Sequence, residues 1–363
     1  MKRNSMKVLI TGSCGLIGSE AVQYYDKKSR SVWGIDNNLR RTFFGSDGDT
    51  LWMRNKLRSE CRKYTHISID IRNRNKIFKI IAEFRPDLII HCAAQPSHDL
   101  AASIPFVDFE VNSIGTMNLL EATRQFVPES VFIFMSTNKV YGDAPNSIKL
   151  KELKNRWDYD DYRFINGIPE SFTIDQSKHS LFGASKVAAD IMVQEYGRYF
   201  GLKTVSFRGG CLTGPGHSGA ELHGFLSYFF KAAVYGKPYH IYGYKGKQVR
   251  DQIHSADVIS AFEQFYRNPK CGAVYNLGGG KSNSVSILES IDRVERLLRK
   301  KITYDYCDEH RLGDHICYYS DLSKFKNEFP NWKIKYTIDD IFEEMAKFSF
   351  TYKNIRVKNR KTM

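Results

Sequence analysis

Short apolar runs alternate with amphipathic segments along the first half of the chain. Val8-Leu9-Ile10 is the first such run, and Val131-Phe132-Ile133-Phe134-Met135 is the longest. This spacing predicts strands at residues 8–10, 32–35, 66–69, 88–91, 131–135 and 204–207, and helices at 19–28, 73–84, 111–125 and 183–199. Strands that are separated by helices predict an α/β fold with a doubly wound parallel sheet, in which ligands bind at the carboxyl ends of the strands.

Three glycines stand between the first strand and the first helix, in the pattern Gly12-x-x-Gly15-x-x-Gly18. Gly12 permits a tight turn, Gly15 lets backbone N–H groups approach a pyrophosphate, and Gly18 lets the helix lie close to the strand. The helix N-terminus, with Leu16 and Ile17, supplies partial positive charge. The pattern therefore predicts a Rossmann-type dinucleotide site.

An acidic residue ends the second strand at Asp36, next to Asn37, about 20 residues after the glycines. A carboxylate there accepts a hydrogen bond from a ribose 2′-hydroxyl and repels a 2′-phosphate, which favours NAD over NADP. Arg40 and Arg41 lie nearby and could weaken that preference. They belong to residues 39–60, which interrupt the strand–helix rhythm and form an insertion near the predicted cofactor.

Two further strand ends carry candidate cofactor contacts. Asp70 and Ile71 follow the third strand, where a carboxylate could bind an adenine. Ala93, Ala94 and Gln95 form a small-residue turn after the fourth strand, and small side chains there leave room for a cofactor. Both are predicted to lie on the ligand-binding edge of the sheet.

The pattern changes in the second half. Residues 143–178 form a long irregular segment, and beyond 208 the strands are short and helices are predicted near 221–235, 257–267, 286–300 and 338–347. No linker isolates this half. We therefore predict an NAD-binding domain at 6–207, an interleaved substrate-binding lobe at 208–350 and a basic tail at 351–363.

Composition favours some classes of function and excludes others. The 363 residues carry a net charge of +14, which fits anionic substrates, and the basic residues are too dispersed for a nucleic-acid interface. The seven cysteines are scattered without a C-x-x-C pair, which indicates reduced thiols in a cytoplasm. No apolar run is long enough to span a membrane. The His, Cys and acidic residues between 308 and 317 fit no zinc pattern, so no metal is expected.

These motifs together resemble the extended short-chain dehydrogenase/reductase family, over about residues 6–345. The resemblance rests on the glycine turn, Asp36, Asp70, the 93–95 turn, Asn112, Ser136-Thr137-x-x-Val140-Tyr141-Gly142 and Arg311-x-Gly313-Asp314. Within that family, residues 136–142 and 246–251 look most like the CDP-paratose 2-epimerases. The resemblance implies an NAD-dependent epimerase of a nucleotide-linked hexose, CDP-linked and acting at C2, and a homodimer formed through helices 107–125 and 183–199.

The resemblance also implies a mechanism. A tyrosine in Y-x-x-x-K removes a hydroxyl proton, hydride passes to NAD, the keto-sugar turns over and hydride returns to its other face. Thr137 fits the hydroxyl that binds the reacting oxygen, and Lys186 fits the lysine that holds the nicotinamide ribose. Arg250 and Arg311 present planar donors to a diphosphate. The remaining substrate candidates, some from the resemblance and some from charge, are Asn138, Lys139, Gly210, Cys211, Asp251 and Asp314.

One position departs from the family pattern. Phe182 occupies the tyrosine position of Y-x-x-x-K, and a phenyl ring neither accepts nor donates a proton. Three explanations remain open. Another group, Tyr141, His179 or Lys186, acts as the base; or the protein binds NAD and a nucleotide sugar without turnover; or the reaction is a related dehydration or reduction that needs less assistance from a base.

Overall fold

The main sheet is parallel and has seven strands. In the computed structural model, the chain is described over residues 5–219, 224–309 and 313–361, with side chains up to residue 349. The strands are β1 (Lys7–Thr11), β2 (Ser31–Ile35), β3 (Tyr64–Ile67), β4 (Leu88–His91), β5 (Val131–Thr137), β6 (Leu150–Glu152), β7 (Trp157–Tyr159), β8 (Lys203–Gly209), β9 (Cys211–Thr213), β10 (Tyr239–Tyr242), β11 (Val249–His254), β12 (Ala273–Leu277), β13 (Ser284–Ser286), β14 (Tyr304–Cys307) and β15 (Cys317–Tyr318). The order β12-β8-β5-β4-β1-β2-β3 confirms the predicted doubly wound α/β fold.

Helices cover both faces of this sheet. They are α1 (Leu16–Lys28), α2 (Leu39–Phe44), α3 (Leu51–Glu60), α4 (Arg74–Phe84), α5 (His98–Ser103), α6 (Pro105–Phe109), α7 (Gly115–Phe126), α8 (Ser180–Phe200), α9 (Phe225–Tyr235), α10 (Ser255–Arg267), α11 (Ile287–Leu298), α12 (Ser323–Glu328) and α13 (Ile338–Lys361). A π-helical turn, Glu110–Ile114, joins α6 to α7. No described helix is both long enough and apolar enough to cross a bilayer.

The two-residue period of the strands divides the core into two clusters. Val8 and Ile10 of β1 pack with α1 and α10 on one face, whereas Leu9 packs with α4, α7 and α8 on the other. On β5, Ile133 and Phe134 point to opposite faces in the same way. Both faces are covered, so these strands are apolar throughout rather than alternating.

The second lobe is built on the carboxyl side of the sheet. Strands β9, β11, β13 and β15 form one small sheet and β10 pairs with β14. Helices α9, α11 and α13 share a separate apolar cluster that includes Phe229, Val294 and Phe342. Strand β12 lies beyond residue 208 but completes the main sheet, so the chain crosses between the two lobes more than once. A cleft between the lobes is the result.

Several predicted boundaries were wrong. The third strand ends at Ile67, two residues before the predicted end, and Ile69 lies on the cleft wall. The irregular segment contains the antiparallel pair β6–β7, and the insertion folds into α2 and α3. The predicted helix 111–125 begins with the π turn, and α13 runs well past 347. The errors at β3, α7 and α13 lie at element ends, where tertiary contacts outweigh local pattern, whereas α2, α3 and the β6–β7 pair are whole elements that the pattern missed.

Candidate functional site

The glycine turn lies at one end of the cleft. Gly12 has φ +66°, and a Cβ there would lie 2.8 Å from the backbone nitrogen of Ala93, so the turn requires glycine. Gly15 is the N-cap of α1 and leaves the helix without a side-chain cap. The N–H groups of a first helical turn have no partner within the helix. An uncapped helix start in a cleft suits a pyrophosphate, so this chain fits a dinucleotide.

Asp36 lies at the carboxyl end of β2, on the wall of the same cleft. Its carboxylate accepts hydrogen bonds from the Cys14 N–H at 3.0 Å and the Asn38 N–H at 2.8 Å, which fix the side chain. Arg41 is paired with Asp49 at 3.2 Å, while the guanidinium of Arg40 donates to the Ser218 carbonyl at 2.7 Å. A fixed carboxylate here suits the ribose hydroxyls of NAD.

Asp70 holds a different set of partners. Its carboxylate accepts from Arg72, including 2.8 Å from Nη2, and from Asn37 Nδ2 at 3.1 Å. Burial acts to raise the pKa of Asp70, but the hydrogen bonds from Arg72 outweigh it and the pKa is lowered. The side chain is therefore an ionised acceptor beside Ile71 on the cleft wall.

The turn after β4 is held from behind by the π turn. Asn112 accepts from the Gln95 N–H and donates to the Gln95 carbonyl, both at 3.0 Å. Asn112 also donates to Asp108 at 3.0 Å and Gln95 donates to Asp108 at 2.7 Å. Gln95 and Asn112 are buried behind the cleft, whereas Ala93 and Ala94 line it. The two amide side chains position the turn.

Lys186 and Thr137 both line the cleft. Lys186 Nζ donates to the Met135 carbonyl at 2.9 Å, and burial lowers its pKa to about 8. Thr137 Oγ1 accepts from the Lys139 N–H at 3.2 Å at the end of β5. Phe182 lines the same cleft and is only 6% exposed. A lysine, a hydroxyl and a phenyl ring thus occupy the predicted reaction centre.

The other end of the cleft is basic. Asp314 Oδ1 accepts from Arg250 Nη2 at 2.6 Å and from Lys139 Nζ at 3.0 Å. Burial opposes ionisation of Asp314, but the two cations hold its pKa well below its usual range. One carboxylate between two cations leaves a net positive charge, which suits a diphosphate.

Buried polar groups without partners line this end as well. Neither amide atom of Gln252 has a hydrogen-bond partner among the described residues, although the side chain is fully buried. Three other buried atoms on this cleft wall also lack a partner among the described residues: Thr213 Oγ1, Ser227 Oγ and Gln248 Oε1. Buried polar atoms without partners are costly. Their clustering indicates a ligand whose polar edge would satisfy them.

The structure brings most of the predicted site residues together. Those on the cleft wall are Gly12, Gly15, Leu16, Ile17, Gly18, Asp36, Asn37, Asp70, Ile71, Ala93, Ala94, Thr137, Asn138, Lys139, Lys186, Gly210, Cys211, Arg250 and Asp314. Asp251 lies behind this wall, where its Oδ2 accepts from the Gly280 and Ser320 N–H groups at 3.0 and 2.9 Å. Arg311 falls outside the described residues.

Two of the predicted substitute bases do not line the cleft. Tyr141 is fully buried, its hydroxyl donates to Asn276 at 2.8 Å, and burial raises its pKa to about 12. The two ring nitrogens of His179 contact the carbonyls of Ser177 and Val140 at 2.9 and 2.8 Å. Both side chains are committed to local structure, so Lys186 is the member of that set that faces the cleft.

Sequence reasoning missed His98 and Gln252, which both line the cleft. His98 begins α5, directly after the turn that follows β4, so its position at the end of a parallel strand was the available signal. Gln252 gave no such signal, because a glutamine inside a strand is more often structural.

A dinucleotide site beside a buried lysine and a basic pocket is the arrangement of an enzyme that performs hydride chemistry on an anionic substrate. Residues 8–278 match the NAD dependent epimerase/dehydratase family, and the chain belongs to that family. The predicted family and the predicted cofactor, NAD, are therefore confirmed.

Individual relatives share nearly the full length of the chain. CDP-paratose 2-epimerase of Salmonella typhi is 33% identical over 94% of this chain and 98% of that protein. dTDP-glucose 4,6-dehydratase of Salmonella typhimurium is 29% identical over 90% of this chain and 88% of that protein. A solved UDP-glucuronic acid 4-epimerase from Bacillus cereus, bound to UDP-glucuronic acid and NAD, matches with a TM-score of 0.78 at 23% identity over 96% of this chain and 100% of that one. The last comparison shows the shared fold.

Proposed function

We propose that the protein is an epimerase that inverts C2 of a CDP-linked hexose through a keto-sugar. The observation that carries the proposal is the 33% identity to a CDP-paratose 2-epimerase over almost the whole of both chains. The cleft supports it, because Thr137 and Lys186 line the same cleft as the glycine turn and the basic residues Lys139 and Arg250.

Each residue has a proposed task. Gly15, Gly18 and Asp36 would hold the dinucleotide, and Lys186 would bind the nicotinamide ribose. NAD, when bound, supplies the acceptor and then the donor of hydride. Thr137 would donate a hydrogen bond to the reacting oxygen and so hold the sugar in place.

The other end of the cleft would hold the nucleotide. Arg250 and Lys139 would bind the diphosphate, with Asp314 orienting both. Asn138, Gly210 and Cys211 would line the sugar and nucleotide, and Asp251 would hold the wall behind Gly210 in place. Gln252, whose amide atoms have no partner among the described residues, would contact the base.

Two alternatives have specific support. Phe182 favours a protein that binds NAD and a nucleotide sugar without turnover, since it removes the proton-transfer group of Y-x-x-x-K. The similarity to dTDP-glucose 4,6-dehydratases favours a dehydration. We favour epimerisation because the identity to the CDP-paratose 2-epimerase, 33%, exceeds the 29% to the dehydratase, and because Thr137 and Lys186 remain in the cleft, which a protein that only binds the sugar would not require.

One experiment separates the three. The purified protein is incubated with CDP-, UDP-, GDP- and dTDP-hexoses in deuterated water, and the products are followed by NMR. Epimerisation at C2 gives a new sugar that keeps its own hydrogen at the inverted carbon. Dehydration gives a product that has lost water and gained deuterium. No product from any donor, with NAD bound, would support the silent alternative and contradict ours.

We further propose a cytoplasmic homodimer. The seven cysteines form no disulfide, which suits a reducing compartment. Large apolar side chains are exposed on the helices named for the dimer and beside them. They are Phe106, Phe109, Met117, Leu181, Tyr199 and Phe200. Such a patch is typical of an interface between subunits.

A further inference from the structure

His98 lies at the reaction centre, although no family motif singles it out. It is the first residue of α5, directly after Ser97, whose hydroxyl caps the helix by accepting from the Leu100 N–H at 3.3 Å. The imidazole is half-buried and lines the cleft together with Thr137 and Lys186. A histidine titrates near neutral pH, which makes it the side chain most often used in general acid–base catalysis.

The imidazole packs against the ring that replaces the tyrosine. The ring centroids of His98 and Phe182 are 4.9 Å apart, with the planes at 51°. A proton-transferring group therefore lies beside the position from which a phenolic hydroxyl is missing. The sequence offered Tyr141, His179 and Lys186 in its place. Tyr141 and His179 lie outside the cleft, and Lys186, which lines it, has the nicotinamide ribose as its task in the proposed function.

Ser180 holds the ring of His98 through Nδ1. His98 Nδ1 lies 3.2 Å from Ser180 Oγ, and that oxygen also accepts from the Gly183 N–H at 3.2 Å. When Nδ1–H donates to the second lone pair of this oxygen, the basic lone pair of the ring is on Nε2. Both Ser180 and Gly183 belong to the first turn of α8, so the helix that carries Phe182 and Lys186 also orients the histidine.

We propose that His98 is the general acid–base residue of this enzyme and performs the task that Phe182 cannot. The inference rests on the proposed function. The sugar O–H bond breaks and its proton moves to His98 Nε2. The C–H bond breaks in the same step, and its electron pair leaves as hydride to the nicotinamide ring of NAD. A C=O bond forms, so the carbon is oxidised and the nicotinamide reduced.

The second half-reaction reverses these changes. Hydride returns to the other face of the carbonyl carbon, and the proton on His98 returns to the oxygen. The net reaction then neither consumes nor releases a proton or an electron pair, as an epimerisation requires.

Kinetics of His98→Gln test the proposal. We expect kcat to fall by about 10²–10⁴-fold, the usual contribution of general acid–base catalysis. Titration calorimetry should give affinities for NAD and for CDP within about threefold of the wild type. The kcat of the double variant H98Q/F182Y should be at least about tenfold higher than that of H98Q, because position 182 then carries the phenol of Y-x-x-x-K. A merely structural histidine would not be rescued in this way.

His179→Gln is the matched control, since it removes a histidine outside the cleft. We expect its kcat to remain within about threefold of the wild type once thermal melting shows that it is folded. If H98Q melts below the assay temperature, His98→Asn replaces it. A kcat for folded H98Q or H98N within threefold of the wild type overturns the proposal and leaves the proposed function intact.

A second readout does not depend on turnover. Diethyl pyrocarbonate modifies accessible imidazoles, and peptide mass spectrometry reports the extent at each histidine. With NAD and CDP-glucose present, we expect modification of His98 to slow at least about fivefold and that of His179 to stay constant. Equal modification of His98 with and without ligands overturns the proposal. A wild type that turns over no nucleotide sugar overturns the proposed function first, and this inference with it.

Discussion

At the scale of single residues, the cleft contains charged and polar side chains whose burial lowers the stability of the folded protein. Lys186 is buried and its pKa is lowered to about 8, with Asp190, Cys92 and Asp108 opposing the shift. Gln252 is buried with both amide atoms lacking a partner among the described residues. Burial of both groups costs stability in the folded chain, and both can form hydrogen bonds with a ligand in the cleft. Local violations of this kind are typical of functional sites.

Lys186→Met tests the cost of the buried lysine. In the unfolded chain this lysine has a pKa near 10.4. Between pH 8 and 10 the unfolded state therefore binds more protons than the folded state. The stability contributed at Lys186 therefore rises with pH. Between pH 7 and pH 10, the wild type should gain about 2 kcal/mol in free energy of unfolding relative to K186M. Urea denaturation of the NAD-free proteins measures this difference.

A constant difference between wild type and K186M across that pH range would mean that the lysine is not desolvated. Lys79→Met is the control, because Lys79 lies on the surface of α4 and forms an exposed pair with Glu83. Its difference from the wild type should change little with pH.

Asp36→Asn tests cofactor selection. The Cys14 and Asn38 N–H groups donate to different oxygens of Asp36, so the amide oxygen of Asn can accept from only one of them, and the negative charge is lost. A hydrogen bond to a charged group contributes about 1.5–3 kcal/mol, so NAD affinity should fall by about 10–100-fold. Affinity for NADP should fall less, because the repulsion of its 2′-phosphate is removed. Titration calorimetry measures the affinities for NAD and NADP. An unchanged ratio of the two would mean that Asp36 does not contact the ribose 2′-hydroxyl.

At the scale of elements, a helical layer formed by α6, the π turn, α7 and α8 lies between the cleft and the outer surface. Inside, Asn112 donates to Ser185 Oγ at 3.1 Å and Ser113 donates to the Ser185 carbonyl at 2.8 Å, one residue before Lys186. Outside, Phe106 and Tyr199 are 84% and 82% exposed. These hydrogen bonds fix the turn of α8 that carries Lys186.

Phe106→Asp with Tyr199→Ser tests the proposed homodimer. Charged and polar side chains on this patch should convert a dimer to a monomer, since the association depends on apolar burial. Sedimentation velocity at micromolar concentration should show the lower mass, with NAD binding retained. The matched control is Tyr162→Ser, because Tyr162 is 85% exposed but belongs to the segment between β7 and α8 rather than to these helices. A wild type that is monomeric, or a double variant that remains dimeric, contradicts the assignment.

At the scale of the whole molecule, the site exists because two lobes meet. The glycine turn, Asp36 and Lys186 come from the main sheet and its helices, whereas Arg250 and Asp314 come from the smaller lobe. Lys139 joins them by bonding to the Gly313 carbonyl at 3.1 Å and to Asp314. Ligands at the two ends should therefore stabilise the protein separately.

Arg250→Gln separates the two ends. For the wild type, NAD or CDP at 100 times its Kd should each add about 2.7 kcal/mol to the free energy of unfolding. In the variant, the response to NAD should persist, while CDP affinity should fall by about 10–100-fold because a charged hydrogen bond to phosphate is lost. Thermal melting with each ligand checks this. An equal loss of both responses would mean that Arg250 acts on the fold rather than on the nucleotide.

The parallel sheet and the NAD end could be predicted from the sequence because their signals are local. The run Val8-Leu9-Ile10, the three glycines and Asp36 lie within 30 residues, and short-range sterics decide what they form. Lys186 and Thr137 followed from the family pattern. The boundaries near Ile69 and Glu110 could not be predicted, since contacts with other elements set them.

The sequence by itself determined the fold class, the cofactor and the absence of a tyrosine at position 182, because each follows from residue types at fixed short spacings. Only the tertiary structure decided which side chains share the cleft with Phe182. In the folded protein Tyr141 is buried, and both ring nitrogens of His179 contact backbone carbonyls. His98, which lies 84 residues before Phe182 in the chain, packs against the phenyl ring. Contacts between residues so far apart depend on how helices pack on a sheet, which no local pattern encodes.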